Sequence, residues 1–406
     1  MASRFTGSFT QQLPLPEASL LAATEVMRHG RLHRYNVGPG EVAEVALLEE
    51  EFAAYTGARY CLAVASGGAA MTLALRAAGV KHGDLVLSNA FTLAPVPGAI
   101  AALGAEPVFV EVTEDLTLDL DDLESKIAAT RARTLLLSHM RGHICDMDAL
   151  MTICEAGGVQ VIEDCAHTMG ARWNGVPSGR HGLAACYSTQ TYKHMNSGEG
   201  GLLTTDDAEL AARAVLLSGS YMLYERHRAA PPPEAFAQLR YELPNISSRM
   251  DNLRAAILRP QLLGLEAAVA AWGERYRAVE TVLRDAPGVR VIERPEAEHY
   301  VGSSIQFLLL DREDAEIEAL IAGCGERGVE LKWFGAPEPQ GFTSVYRHWR
   351  YTHATPMPAS DRVLHGVLDM RLPLTFSVED CRLIARIVVE ECQRNVSIEM
   401  HAGAAE

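Results

Sequence analysis

Tyr187-Ser188-Thr189-Gln190-Thr191-Tyr192-Lys193, running into Gly198-Glu199-Gly200-Gly201, is the stretch that decides the fold. Tyr187 and Ser188 close an apolar run that begins at Ala184, and the residues beyond switch at once to polar side chains and glycine. That is the pattern of a buried strand feeding a loop. Working backwards, Val159–Glu163, Thr134–Ser138, Val108–Val112 and Leu85–Leu87 read as further short strands. Amphipathic runs at Met71–Ala78 and Met147–Ala156 read as helices closed by Gly79 and Gly157. Strands alternating with helices predict an α/β fold with a largely parallel sheet, whose strand ends face one crevice. His139, Asp164 and Ser188, each at or just past a strand's carboxyl end, are therefore expected to converge there.

A lysine after a buried strand, a serine at that strand's end and an acid at the end of an earlier one form the set that pyridoxal 5'-phosphate requires. Lys193 would supply the amine for a Schiff base, and Ser188 would help hold the phosphate. Asp164 would keep the pyridine nitrogen protonated so that the ring withdraws electrons. His167, three residues beyond Asp164, is placed to donate to the ring's phenolic oxygen. A helix cap for Asp164 and a satisfied core histidine for His167 are the competing readings. Ser66-Gly67-Gly68-Ala69-Ala70 opens a helix whose small residues let backbone N–H groups approach an anion, although the same letters also spell an ordinary serine-capped helix start. There is no G-x-G-x-x-G and no Walker lysine, so dinucleotide and nucleoside triphosphate readings lose their main support.

His139-Met140-Arg141-Gly142-His143-Ile144-Cys145-Asp146 gathers nitrogen and sulfur donors, and a zinc hydrolase built on His139, His143 and Cys145 is one alternative. The favoured reading has no metal: His139 lines the crevice and Asp146 caps the helix that begins at Met147.

Over the 406 residues, 48% are hydrophobic and 22% charged, a balance that argues for a substantial globular protein rather than a disordered one. The formal net charge of -16 and the lack of dense basic runs exclude a nucleic-acid surface. The eight scattered cysteines, with no C-x-x-C pair, fit buried free thiols in a reducing compartment. Met1 to Pro16 lacks the pattern of a signal peptide and no apolar run is long enough to span a bilayer, so a cytoplasmic location away from membranes is expected. After Ser218 the organisation changes, through Tyr221-Met222-Leu223-Tyr224 and Pro231-Pro232-Pro233. A long helix from about Asp251 to Val279 leads to a strand at Gly302–Leu310 and helices at Ala315–Gly325 and Val378–Gln393, with His401–Glu406 frayed.

Several of these motifs, in this order, resemble the DegT/DnrJ/EryC1/StrS aminotransferases: Gly67-Gly68-Ala69-Ala70, Ala90-Phe91-Thr92, His139-Met140-Arg141-Gly142, Asp146-Met147-Asp148, Glu163-Asp164-Cys165-Ala166-His167, Ser188 with Lys193, Gly198-Glu199-Gly200-Gly201, Arg249-Met250 and Leu372-Pro373-Leu374. The resemblance implies a fold-type-I enzyme. A large domain over 18–260 would hold a mostly parallel seven-stranded sheet between helices, and a smaller α+β domain would occupy 261–400. It implies a homodimer with shared active sites, Lys193 as the Schiff-base lysine and proton shuttle, Asp164 at the pyridine nitrogen and His167 at the ring hydroxyl. Gly67, Gly68 and Ser188 would hold the phosphate, and Arg249 would reach the neighbouring subunit's cofactor. Three positions depart from the family pattern: Leu93 stands where an aromatic usually stacks on the ring, Gly68 replaces a threonine, and Ser247 replaces an asparagine, with Asn245 nearby to compensate.

The expected reaction transfers an amino group from glutamate or glutamine to a keto-sugar, keto-cyclitol or similar small polar carbonyl. One alternative keeps the cofactor but performs elimination, replacement or carbon–carbon bond formation. Another makes the chain a non-catalytic binding or regulatory protein on the same fold.

Overall fold

The computed structural model describes residues 3–402, and side chains up to residue 394. A seven-stranded sheet forms its centre: β1 (Tyr60–Val64), β2 (Leu85–Asn89), β3 (Glu106–Val110), β4 (Thr134–Ser138), β5 (Gln160–Asp164), β6 (Ala184–Ser188) and β7 (Gly201–Thr205), in spatial order β1-β7-β6-β5-β4-β2-β3. β2 pairs in parallel with β3 and β4, β4 with β5, and β5 with β6. Only β7 runs against its neighbours, between β6 and β1. The expected strand ends shift by up to two residues, and β1 and β7 are additions to the strands read from periodicity.

Both faces of the sheet are covered, which is why its strands are continuous apolar runs instead of alternating ones. Leu135 and Leu137 point into one core with Phe52, Val45 and Leu150, while Leu136 points into the other with Leu73, Val86 and Ile162. Aspartates cap the helices that return the chain: Asp119 accepts from the Asp121 and Asp122 N–H groups, Asp146 from Ala149, and Asp207 from Leu210. All eight cysteines are free and buried, so none forms a disulfide.

A second, antiparallel sheet joins Val289–Val291, Ser304–Leu309, Val367–Arg371 and Lys332–Trp333 in that order. Its core packs Ile305, Phe307, Leu368 and Met370 against the helices Asp314–Glu326 and Val378–Ala402. The expected single helix from Asp251 is two, Asn252–Leu263 and Leu265–Leu283. Pro260 lacks an N–H for the ladder and Gly264 follows it within a turn, which together break the rod. The second of these helices begins in the large sheet's core with Val269 and Trp272 and ends in the small sheet's core with Tyr276, Val279 and Leu283. The polar lead at the N-terminus also takes part: the Phe5 and Phe9 rings lie 4.8 and 4.9 Å from that of Phe376 in the second core. His401 and Ala402 are helical, whereas 403–406 lie outside the described residues. Among the described residues no helix is long and apolar enough to cross a membrane.

Under β1 sits a buried charged network. The Arg34 Nη1 and Nη2 atoms lie 3.0 and 2.9 Å from the two Glu49 oxygens, and the Ala63 N–H donates to the same carboxylate at 2.8 Å. Burial opposes the charge on Glu49, but Arg34 and His227 overcome it and hold the carboxyl at about 2. Glu49→Ala would strand Arg34 without its counter-ion, at a cost of about 3–5 kcal/mol. Urea denaturation at pH 7 measures this. Because the folded carboxyl lies below its unfolded value, the wild type's advantage should be intact at neutral pH and fade as the pH falls through 4 towards 2.

Candidate active site

β5 and β6 are neighbours in register, Asp164 opposite Cys186, so the chain leaves both strands at the same edge of the sheet. Asp164 is buried there. Its Oδ2 accepts from Ser138 Oγ on β4 at 3.1 Å, and its Oδ1 from the Ala166 N–H at 3.1 Å. Burial pushes its carboxyl above the usual range, against the pull of the Ala166 N–H and Lys193. A carboxylate so placed gains from a cation that arrives beside it.

Lys193 stands on the loop between β6 and β7. That loop is pinned at both ends: Thr189 and Gly200 share a backbone bond of 2.9 Å, and Gln261 on the broken helix holds Asn196 through both its N–H and its carbonyl at 2.8 Å. The Lys193 Nζ lies 2.8 Å from His167 Nε2. Desolvation and the nearby Arg141 guanidinium bring the Lys193 amine down to about 7, with Asp164 pulling the other way. Burial and the charge on Lys193 hold His167 well below its ordinary value, so its ring is neutral.

Beside this trio the helix Gly67–Ala77 begins. Ser66 Oγ accepts from the Ala69 N–H at 3.0 Å, so the ordinary helix-cap reading of this motif is correct as far as it goes. The N–H groups of Gly67 and Gly68 find no acceptor among the described residues, as at any helix start awaiting a partner. A Cβ on Gly67 would meet Ser188 Cβ at 2.9 Å, and one on Gly201 would meet Ser66 O at 2.3 Å. The glycines thus let the helix start, the end of β6 and the start of β7 close into one cup with free N–H donors and the Ser188 hydroxyl at its rim. A phosphate fits that donor set.

The structure therefore brings Gly67, Gly68, Asp164, His167, Ser188 and Lys193 to one edge of the sheet. Leu93 is half-buried on the cluster of Phe91, Met140 and Phe334. Asn245, Ser247 and Arg249 belong to a segment that pairs with the end of β1, where Val64 bridges Arg249 and the Ala65 N–H donates to Ser248 O at 2.8 Å, but their side chains bond within their own surroundings: Ser247 N–H and Oγ donate to Asn245 Oδ1 at 3.0 and 3.3 Å, and Arg249 Nη1 donates to Gly219 O at 3.0 Å.

Two expectations fail. His139 does not line the crevice: it is buried, with Nε2 3.0 Å from Glu163 Oε2. A histidine directly after a parallel strand can turn under the sheet when a buried acid awaits it, and Glu163 is that acid. The zinc alternative fails as well, because its three residues have separate partners. His143 Nε2 lies 2.8 Å from Gln306 Oε1, and Cys145 Sγ 3.8 Å from Met147 Sδ. Among the described residues the group that could hold a metal is instead His139, Glu163 and Cys165. The Glu163 carboxylate in it is already occupied by the N–H groups of Gly179, His181 and Gly182 as well as by His139.

Sequence reading missed Ser138, Tyr192 and Arg371, and it gave Arg141 no role. Lys193, His194, Tyr192, Ser303 and Arg371 line one cleft with the N-terminal residues Gln12 to Pro16. Arg371 closes a strand of the small sheet far along the chain, and its only sequence signal was adjacency to Leu372-Pro373-Leu374.

Gly67→Ala follows as a test of the cup. Spreading Gly67 from Ser188 should cost one or two charge-assisted bonds, weakening cofactor binding about 10- to 100-fold in a spectroscopic titration of the apoprotein.

The profile of the DegT/DnrJ/EryC1/StrS aminotransferase family matches residues 17–389. A pleiotropic regulatory protein of Geobacillus stearothermophilus is 31% identical over 70% of this chain and 73% of its own. The L-glutamine:scyllo-inosose aminotransferase of Streptomyces griseus is 39% identical over 40% of this chain and 38% of its own. Among solved structures, DesV of S. venezuelae superposes with a TM-score of 0.76 at 27% identity, covering 92% of this chain and 94% of that one.

Proposed function

The chain belongs to the DegT/DnrJ/EryC1/StrS aminotransferase family, and from that premise we propose that it moves an amino group from glutamate or glutamine to a keto-sugar, keto-cyclitol or similar small polar carbonyl. It is a pyridoxal-phosphate-dependent aminotransferase. The observation that carries the reading is the Lys193 amine, brought down to about 7 and 2.8 Å from a neutral His167, at the same sheet edge as Asp164 and the Gly67–Ser188 cup.

Bound in this site, pyridoxal phosphate supplies an aldehyde carbon that bonds amines and a ring that withdraws electrons from the substrate carbon. The residues do the rest. Gly67, Gly68 and Ser188 hold the phosphate at the positive end of a helix. Asp164 would keep a proton on the ring nitrogen, and Ser138 holds that carboxylate in place. Lys193 Nζ would be the group that takes a proton from the substrate carbon and delivers one to the cofactor's carbon. His167 orients the amine, and it would be the residue to donate to the ring oxygen of the bound cofactor.

Arg249, Ser247 and Asn245 are assigned to the neighbouring subunit's phosphate in a homodimer. Supporting that, the Arg249 guanidinium lies 5.1 Å from the exposed Tyr221 ring, and Met222, next to Tyr221, and Ile246 are exposed as well. Light scattering should give twice the 44.1 kDa chain mass, and a monomer that retains full activity would refute the assignment.

The reaction is tested by adding L-glutamate or L-glutamine to the loaded enzyme and following conversion of the cofactor to its amine form. Failure with every common amino donor, with the cofactor still bound, favours elimination or carbon–carbon chemistry. Because the amine is reactive only when neutral, capture of the cofactor by the apoprotein should quicken from pH 6 to 8 and then level off, with its midpoint near 7. An unperturbed lysine would keep accelerating towards pH 10.

A further inference from the structure

Arg141 is a buried cation with open hydrogen-bonding sites. It occupies the turn after β4 with a left-handed backbone, φ 55° and ψ 20°, a conformation that an arginine keeps only where its surroundings hold it. Its side chain is 8% exposed, yet Nε and Nη2 have no hydrogen-bond acceptor among the described residues. Asp369 Oδ2 lies 2.9 Å from that Nη2 and likewise has no hydrogen-bond partner, so the two charges face each other out of line. The other Asp369 oxygen is taken by Gln306 Nε2 at 2.6 Å. Two rings wall the guanidinium: its Cζ lies 5.7 Å from the centre of Phe334 and 4.9 Å from that of Phe342. Unsatisfied N–H groups on a buried cation call for an anion to fill them. The charge reaches the reaction, since Arg141 helps to lower both the Lys193 amine and the His167 ring. It nevertheless stands apart from the open cleft, whose lining includes Lys193 and Arg371 but not Arg141.

We infer that Arg141 binds the side-chain carboxylate of the amino donor, between the rings of Phe334 and Phe342, and so selects L-glutamate over L-glutamine. This deepens the aminotransferase reading above and rests on it. Both donors bring the same α-carboxylate, on the carbon that reacts at Lys193. They differ only at the far end of the side chain, which extends away from the amine. There glutamate presents two acceptor oxygens, and a guanidinium edge matches them with paired charge-assisted bonds. Glutamine presents one oxygen and an NH2 group that sets donors against donors, leaving part of the buried guanidinium unpaired. The methylenes between the two ends lie against the aromatic walls. Asp369 balances the charge of Arg141 in the free protein without occupying its open N–H groups. Arg141 is therefore a specificity-determining residue for the donor half of the reaction.

The test follows cofactor conversion with L-glutamate and with L-glutamine in wild type, Arg141→Gln and Arg141→Lys. In wild type glutamate should half-saturate at a concentration about 10- to 100-fold below glutamine, and Arg141→Gln should erase most of that ratio by weakening glutamate. Arg141→Lys should keep part of it. Any change that the lost charge makes in the Lys193 amine acts on both donors alike, so it leaves the ratio alone. A second readout needs neither turnover nor cofactor. Near neutral pH, glutarate should slow chemical labelling of Lys193 in the apoprotein more than its monoamide does, because a second anion beside the amine favours the protonated, unreactive form. Arg141→Gln should abolish that difference. Equal half-saturation by the two donors in wild type, an unchanged ratio in Arg141→Gln, or a defect confined to the acceptor overturns the inference. If wild type converts its cofactor with neither amino acid nor any other common donor, the aminotransferase reading itself fails, a result that an unchanged ratio cannot mimic.

Discussion

Lys193→Ala is expected to cut turnover by more than about 10⁴-fold, because in the proposed mechanism one amine both bonds the cofactor and carries the proton between two carbons. No neighbour replaces it: His167 is neutral and already directed at the same nitrogen, and its burial keeps it from taking up a proton near neutral pH. The variant should still hold pyridoxal phosphate in the Gly67–Ser188 cup, since none of those donors is touched. Borohydride treatment followed by peptide mapping reads the assignment directly: in wild type the reduced adduct belongs on the peptide containing Lys193, and in the variant none should form. Turnover within tenfold of wild type, or an adduct on another lysine, would refute the role.

Asp164→Asn should lower the rate of the donor half-reaction about 100- to 1000-fold, the scale on which one aimed electrostatic partner acts in a water-poor site. Asparagine keeps the shape: its Oδ1 can still accept from the Ala166 N–H while its Nδ2 donates to the Ser138 hydroxyl oxygen, so the fold is left intact. What it removes is the negative charge that, in the proposed mechanism, would keep the ring nitrogen protonated. In the free protein burial raises the Asp164 carboxyl, so acid titrates the same charge away. The wild-type rate should therefore fall in acid, while the variant's acid limb should flatten. Stopped-flow absorbance across pH measures both. Equal rates for the two proteins at neutral pH would remove Asp164 from the mechanism.

The proposed catalytic group was legible because it sits at strand ends, and strands in a doubly covered sheet announce themselves as short apolar runs. Ser188 and Asp164 mark where β6 and β5 stop, and a parallel sheet delivers those stops to one edge whatever the intervening sequence does. β1 and β7 were harder to read. β7 starts in the glycines that serve the loop before it, and it runs antiparallel, so neither its signal nor its direction follows the repeat. The helix after Asp251 has an unbroken amphipathic pattern, and only Pro260 and Gly264 betray the break that anchors Gln261 on the Lys193 loop.

His139 shows the limit from the other side. Its position after β4 is the same as that of a crevice residue, yet a single side-chain rotation buries it on Glu163, and nothing local in the chain encodes that choice.

By itself, then, the sequence determined the βα repeat, the strand ends and the lysine–aspartate–serine–glycine set, because each depends on residues near one another along the chain. Only the tertiary structure decided where Arg371 and Asp369 fall. They lie on a strand of the second sheet, about 180 residues beyond Lys193, and packing of one core on the other carries them to the amine. Charge balance in a buried cleft is a sum over everything within reach, so it has no local signature to read.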